Sequence, residues 1–227
     1  MALTRLVGDI HGNFNEYKYY ELGVGRPRHV IEEAPPSRSI QIGDFGIGFG
    51  QSDYWVEQVN ILHSTGEHRF IRGNHDNPSM CKKDMTGYIK DGTVENNVMF
   101  IGGAWSIDNP NAPPGWYRRT VGVDWWEDEQ CSLEEFERFI DIYSTIKPRV
   151  MITHDCPHNI AGEMFWNSGF IKGPRYNSIT ADAFQTMFEI HQPDEWYFGH
   201  WHKTMSYKSG RTMFQCIGEL EHIDVEL

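Results

Sequence analysis

The chain has no CxxC pair: Cys81, Cys131, Cys156 and Cys216 are scattered along its 227 residues. That spacing excludes a disulfide framework or a zinc knuckle and reads as ordinary reduced thiols. No apolar run approaches the roughly 18 residues that a membrane helix needs. A basic balance is missing as well, since 20 Lys and Arg face 32 Asp and Glu for a net charge of −12. This argues against a broad phosphate-backbone-binding surface, because nonspecific nucleic-acid affinity comes from clustered Lys and Arg. Internal repeats and low-complexity linkers are absent too, so one domain over residues 1–227 is expected. The first residues lack a long apolar signal core and run straight into Gly8-Asp9-Ile10-His11-Gly12. Cleavage of a signal of ordinary length would remove that motif, so a soluble cytoplasmic protein with no membrane partner is the expectation.

What is present is a core-forming composition, 39% hydrophobic and 23% charged, with eleven histidines that make metal binding worth testing. Short apolar runs end repeatedly in glycine or polar clusters: Leu3–Val7, Ser39–Ile42, Arg69–Ile71, Val98–Ile101, Val150–Ile152 and Trp196–Phe198. Such runs predict buried strands. Between them lie helical patterns. Phe14, Tyr17 and Tyr20 follow Asn13 at helical spacing, and Tyr54–Leu62 follows Ser52. A capping box at Ser132–Glu135 opens a helix to about Ile146 with Phe136, Phe139, Ile140 and Tyr143 inward, and Thr180 is expected to open another. Alternating strands and helices predict an α/β fold. Residues 103–131, rich in Pro and Trp, show no clean period and read as an excursion from the core.

The polar clusters all follow predicted strands, so they should gather on one edge of the sheet. They bring together Asp9, His11, Asp44, Asn74, His75, His154, His200 and His202. Imidazoles and carboxylates with one amide make a ligand set suited to Mn, Fe or Zn. Eight such residues exceed the needs of one ion but suit two that share a bridging carboxylate.

The ordered series GDIHG (8–12), GDFG (43–46), GNHD (73–76), THD (153–155) and GHWH (199–202) resembles the calcineurin-like metallophosphoesterase superfamily. GGAWSID (102–108), Tyr117-Arg118 and VDWWEDEQ (123–130) are similar to its small bacterial and phage members. The resemblance implies a β-sandwich of two mixed sheets flanked by helices, in the cytoplasm of a bacterium or of a phage host. Two divalent ions are implied, Mn first, with Fe, Zn or Ni as alternatives. Asp9, His11 and His202 would hold one ion, and Asn74, His154 and His200 the other, with Asp44 bridging. His75 matches the family's catalytic histidine, placed to protonate the leaving oxygen, as a histidine beside a ligand but surplus to coordination would be.

One departure stands out. In the protein Ser/Thr phosphatase branch the second motif continues to an Asp-Arg pair that orients the histidine and grips phosphate; here Ile47 and Gly48 stand in those places. Arg118 or Arg119 could supply the clamp, since guanidinium matches phosphate bidentately; the alternative is a solvated pair at a loop tip. Arg72 reads as a structural partner of nearby carboxylates. Asp155 reads as an orienter of a ligand, His158 as a surface residue, and the tryptophans of the excursion as packing ahead of a substrate wall. The leading expectation is a phosphomonoesterase acting on a small phosphate ester. A phosphodiesterase or nuclease is the second reading, and a non-catalytic scaffold on the same fold the third.

Overall fold

A computed structural model describes residues 3–13, 38–49, 53–64, 67–172 and 178–227 of the chain. The helix expected after Asn13 lies outside the described residues. Among them, β1 (Leu3–Val7), β2 (Ser39–Ile42) and β3 (His68–Ile71) run parallel, and β10 (His222–Glu226) joins β1 antiparallel in a four-stranded sheet. The second sheet has the order β4-β5-β6-β7-β9-β8. Its parallel centre is β5 (Val98–Ile101), β6 (Val150–Thr153), β7 (Glu195–Phe198) and β9 (Thr212–Cys216). Antiparallel β4 (Thr93–Glu95) and β8 (Met205–Ser209) close its edges. Both sheets are therefore mixed, as expected.

Three apolar layers hold the sandwich together. Leu6, Ile40, Ile42 and Ile71 of the first sheet meet Val98, Phe100, Val150, Ile152 and Tyr197 of the second in a central seam. On the outer face of the first sheet, Val7, Phe45 and Phe70 pack with Val59 of α1 (Asp53–His63) and Cys81 of α2 (Pro78–Asp84). On the outer face of the second, Met99, Met151, Trp196 and Phe214 pack against α3 (Leu133–Ile146) and α5 (Ile179–Ile190). Strands buried on both faces read as continuous apolar runs, the pattern seen in β2, β5 and β6. A short helix, α4 (His158–Ala161), continues into a π-helical turn at Gly162–Asn167. No helix among the described residues is long and apolar enough to cross a membrane.

Helix starts follow the side chains that can cap them. Ser132 accepts from the Glu135 N–H while the Glu135 carboxylate accepts from Ser132, the reciprocal box read from the sequence. The helix expected to open at Thr180 opens two residues earlier, because Ser178 Oγ accepts from the Ala181 N–H and the Thr180 hydroxyl is turned inward to Gln130. Residues 103–131 hold no strand or helix, only a bridge between Val121 and Trp125. The buried Arg72 ties this segment to β3. Its Nε meets Asp91 at 2.8 Å, and its Nη1 donates to the carbonyls of Asp128 and Glu129.

Candidate metal centre

Every predicted ligand, and the predicted acid His75, sits just past the carboxyl end of a parallel strand: Asp9 and His11 after β1, Asp44 after β2, Asn74 and His75 after β3, His154 after β6, His200 and His202 after β7. The turns that aim them are tight. His11, Asp44, His200 and His202 all have positive φ, between 48° and 66°, a conformation that costs a non-glycine residue about 1–3 kcal/mol and clusters at functional sites. Gly73 makes room for them, since a Cβ there would lie 2.1 Å from Asp44 Oδ1 and 2.7 Å from His154 Nε2.

The side chains converge on two points that share Asp44: one set is Asp9, His11, Asp44 and His202, the other Asp44, His154 and His200. In the first set, His11 Nε2 lies 2.9 Å from His202 Nε2, and Asp9 Oδ2 is 3.3 Å from His202 Nε2. That Asp9 oxygen is buried and accepts no hydrogen bond. In the second set, His154 Nδ1 donates to the Ile42 carbonyl at 2.9 Å, which leaves Nε2 facing Asp44 Oδ1 at 3.1 Å and Asn74 Oδ1 at 3.2 Å. Asn74 Oδ1 also meets His200 Nδ1 at 3.0 Å. Acceptors crowded this closely need a positive charge between them, and borderline donors of this type suit divalent transition ions. The donor set fits two such ions.

The electrostatics show the same demand for positive charge. Burial, with the Asp44 charge beside it, lifts Asp9 to about 7 against the pull of His154 and His11. Burial would raise Asp44 as well, but the surrounding imidazoles, His154 foremost, hold it well below the usual carboxylate range. Burial opposes a charge on His154, yet Asp44 and Asp9 outweigh it and lift that imidazole to about 10. Burial and the neighbouring histidines push His200 and His202 down, which keeps their ring lone pairs available.

The calcineurin-like phosphoesterase family pattern matches residues 5–204. The chain belongs to this family. No curated protein matches the sequence. Among solved structures, the fold is similar to a dimetal phosphatase from Danio rerio, at a TM-score of 0.54 and 11% identity over 97% of this chain and 88% of that one. It is also similar to a "putative 5'-nucleotidase" from Staphylococcus aureus in complex with alpha-ketoglutarate, at a TM-score of 0.50 and 14% identity. That match covers 99% of this chain and 50% of the other, so the chain spans half the length of that protein.

In this phosphoesterase the two positions where the Ser/Thr phosphatase branch carries Asp and Arg do not suit them, the first for its apolar burial and the second for lack of room. Ile47 is fully buried and gives its N–H to Asp76, and a Cβ on Gly48 would sit 2.5 Å from Asn77 Cβ. Arg119 reaches the site from the excursion instead. It is buried, with Nη2 2.5 Å from His75 Nε2, Nη1 3.1 Å from Ser106 Oγ and Nε 2.7 Å from Asp108 Oδ1. Arg118 is turned away, exposed, with Nε donating to the Ala112 carbonyl. Adjacent side chains in extended chain point apart, so only one arginine of the pair can enter. His75 stacks on Phe49 at 4.8 Å, and burial, reinforced by Arg119 against the Asp44 charge, lowers it to about 4. Asp44, Asn74, His75, Ser106, Arg119 and His202 are among the residues lining a cavity of about 340 Å³.

Other expected roles resolve differently. The His154 ring nitrogens face Ile42, Asp44 and Asn74, whereas Asp155 Oδ1 accepts from Trp201 Nε1 and so braces the indole between His200 and His202. His158 is half-buried beside Asp182. Among the tryptophans, Trp105 lines the cavity, Trp126 is buried against Phe49, and Trp116 is exposed. Asp76, given no role from sequence, is fully buried and accepts from four backbone N–H groups: Phe45, Gly46, Ile47 and Gly73. It locks the second motif to the third, and its place inside GNHD was the signal for it. Ser106 and Glu129 were passed over too, although they lie inside GGAWSID and VDWWEDEQ.

Proposed function

We propose that this protein is a dinuclear metal-dependent phosphomonoesterase acting on a small phosphate ester, with Mn²⁺ as the effective ion. The observation that carries the reading is the pair of donor sets sharing Asp44 at the floor of a cavity with a buried guanidinium in its wall. Asp9, His11 and His202 would hold one ion, Asn74, His154 and His200 the other, and Asp44 both. When bound, two divalent ions at such a site supply Lewis-acid charge to phosphoryl oxygens and a water of lowered pKa.

The chain's own groups complete the chemistry. Arg119 binds a phosphoryl oxygen and replaces the missing arginine of the second motif. His75 donates a proton to the departing alkoxide at Nε2, once the phosphoryl group has drawn off Arg119 Nη2, which faces that nitrogen at 2.5 Å. Arrival of a dianion beside His75 opposes the burial and the Arg119 charge that lower its pKa, and so favours the protonated ring it needs. A net charge of −12 and a cavity of this size support a small substrate over long nucleic acid. Four buried free thiols support a reducing compartment, the cytoplasm.

Purified metal-free protein should hydrolyse p-nitrophenyl phosphate only after Mn²⁺ is added, lose activity to chelator, and turn over bis-p-nitrophenyl phosphate more slowly. Preference for the diester would make it a phosphodiesterase. Binding of two ions without hydrolysis of either ester would make it a scaffold.

A further inference from the structure

We propose that Ser106 and Glu129 are a positioning pair whose hydrogen-bond polarity turns the Asn74 amide oxygen towards the metal side. The proposal rests on the dinuclear reading above. The Ser106 hydroxyl has one proton and two lone pairs. Its Oγ lies 2.5 Å from Glu129 Oε2, 3.0 Å from Asn74 Nδ2 and 3.1 Å from Arg119 Nη1. A guanidinium only donates, so Arg119 takes one lone pair. Burial raises the Glu129 carboxyl to about 7; in its ionised form, above that pH, it only accepts, so it takes the proton. One lone pair is left, and it demands a donor from Asn74.

The amide nitrogen therefore faces Ser106, and the oxygen faces His154 Nε2 and His200 Nδ1 at 3.2 and 3.0 Å. Shape does not make that choice, because the two ends of the amide are nearly the same size; polarity does. Glu129 cannot easily turn away. Its Oε1 accepts the Ser106 backbone N–H at 2.9 Å, and its own carbonyl accepts from the buried Arg72 at 2.7 Å. The excursion thus reaches the metal site with more than Arg119: it sets the orientation of one ligand. Partners of this kind behind a metal ligand are worth typically 10–100-fold in metal affinity.

The sharpest variant is Glu129→Gln, which keeps the shape and reverses the polarity. Its amide oxygen can go on accepting the Ser106 N–H while its NH₂ donates to Oγ. The hydroxyl must then donate to Asn74, and the Asn74 oxygen swings away from the imidazoles. Calorimetric titration of the metal-free protein with MnCl₂ should find two ions in the natural protein. In Glu129→Gln one of them should weaken about 10–100-fold. The other should be unchanged, as should the melting temperature of the metal-free protein. Ser106→Ala should weaken the same ion, which covers the case of a Glu129 variant that folds poorly. The visible absorption of the Co²⁺-loaded protein, which reports ligand geometry, should change for that ion alone.

Asn74→Asp presents two like oxygens and needs no orienting, so adding Glu129→Gln to it should bring no further loss. Natural affinity for both ions in folded Glu129→Gln, or an equal loss in the Asn74→Asp background, would overturn the positioning role. A natural protein that binds fewer than two ions would instead bring down the dinuclear reading beneath it.

Discussion

Arg119→Ala is the change that tests the phosphate clamp most directly. Arg119 is 6% exposed, and each of its three nitrogens has one partner: Asp108 at Nε, Ser106 at Nη1 and His75 at Nη2. A guanidinium carries five N–H groups, so two remain for a ligand in the cavity that Arg119 lines. A hydrogen bond to a charged group is worth about 1.5–3 kcal/mol. Its loss should therefore lower kcat/KM for p-nitrophenyl phosphate by roughly 10–150-fold. The expected form is a raised KM together with a lowered kcat, with the affinity for Mn²⁺ held. Arg119→Lys should recover little, because one ammonium cannot hold Asp108 and Ser106 and still present a fork to phosphate. Arg118→Ala should stay within about twofold of the natural protein, as exposed substitutions do. Steady-state kinetics at saturating Mn²⁺, with melting curves to check folding, decide the matter. Equal effects of the two alanine variants, or an unaltered kcat/KM in folded Arg119→Ala, would refute the clamp.

Three further outcomes follow from the same geometry. Asp44→Asn should damage activity more than Asn74→Ala, because it removes the charge shared by both donor sets; equal residual rates in the two variants would count against the bridge. His75→Ala should leave two ions bound, slow esters of poor leaving groups by roughly 10²–10⁴-fold, and affect p-nitrophenyl phosphate much less. Loss of an ion on titration of that variant, or an equal slowing of all esters, would mean that His75 is not the acid. Asp76→Asn keeps one accepting oxygen and turns an NH₂ onto two of the four backbone donors, at a cost of roughly 3 kcal/mol. Calorimetry should show the melting temperature falling by about 6–12 °C, and an unchanged value would show that the four bonds contribute nothing net.

The parallel strands other than β9 were legible because burial makes them continuous apolar runs, and glycine or a polar cluster marks where each ends. β4, β8 and β10 were not legible. Each is a short antiparallel strand at a sheet edge, with charged or hydroxyl side chains in it, such as Lys208 in Met205–Ser209. β9, Thr212–Cys216, is mixed as well: Gln215 is half-buried and Met213 is partly exposed. The ligands at the strand ends were readable for the same reason as the strands. The roles of Ser106, Glu129 and Asp76 were not, although all three lie inside quoted motifs, because most of their partners are distant in sequence: Ser106 meets Glu129 and Asn74 across 23 and 32 residues, and Asp76 meets Phe45 across 31. The choice between Arg118 and Arg119 turned on which way a loop faces, and adjacent identical residues carry no signal of that.

The two donor sets have a mechanical side. Asp9, His11, Asp44 and Asn74 leave the strands of the first sheet, whereas His154, His200 and His202 leave those of the second. Each set draws on both, so an ion held by either would rivet one half of the sandwich to the other across the seam. A ligand that binds only the native state at 100 times its dissociation constant adds about 2.7 kcal/mol of stability. Scarcity of metal would then loosen the whole molecule as well as silence it, and a cell that starves this protein of its ions would hold a chain easier to unfold and to degrade.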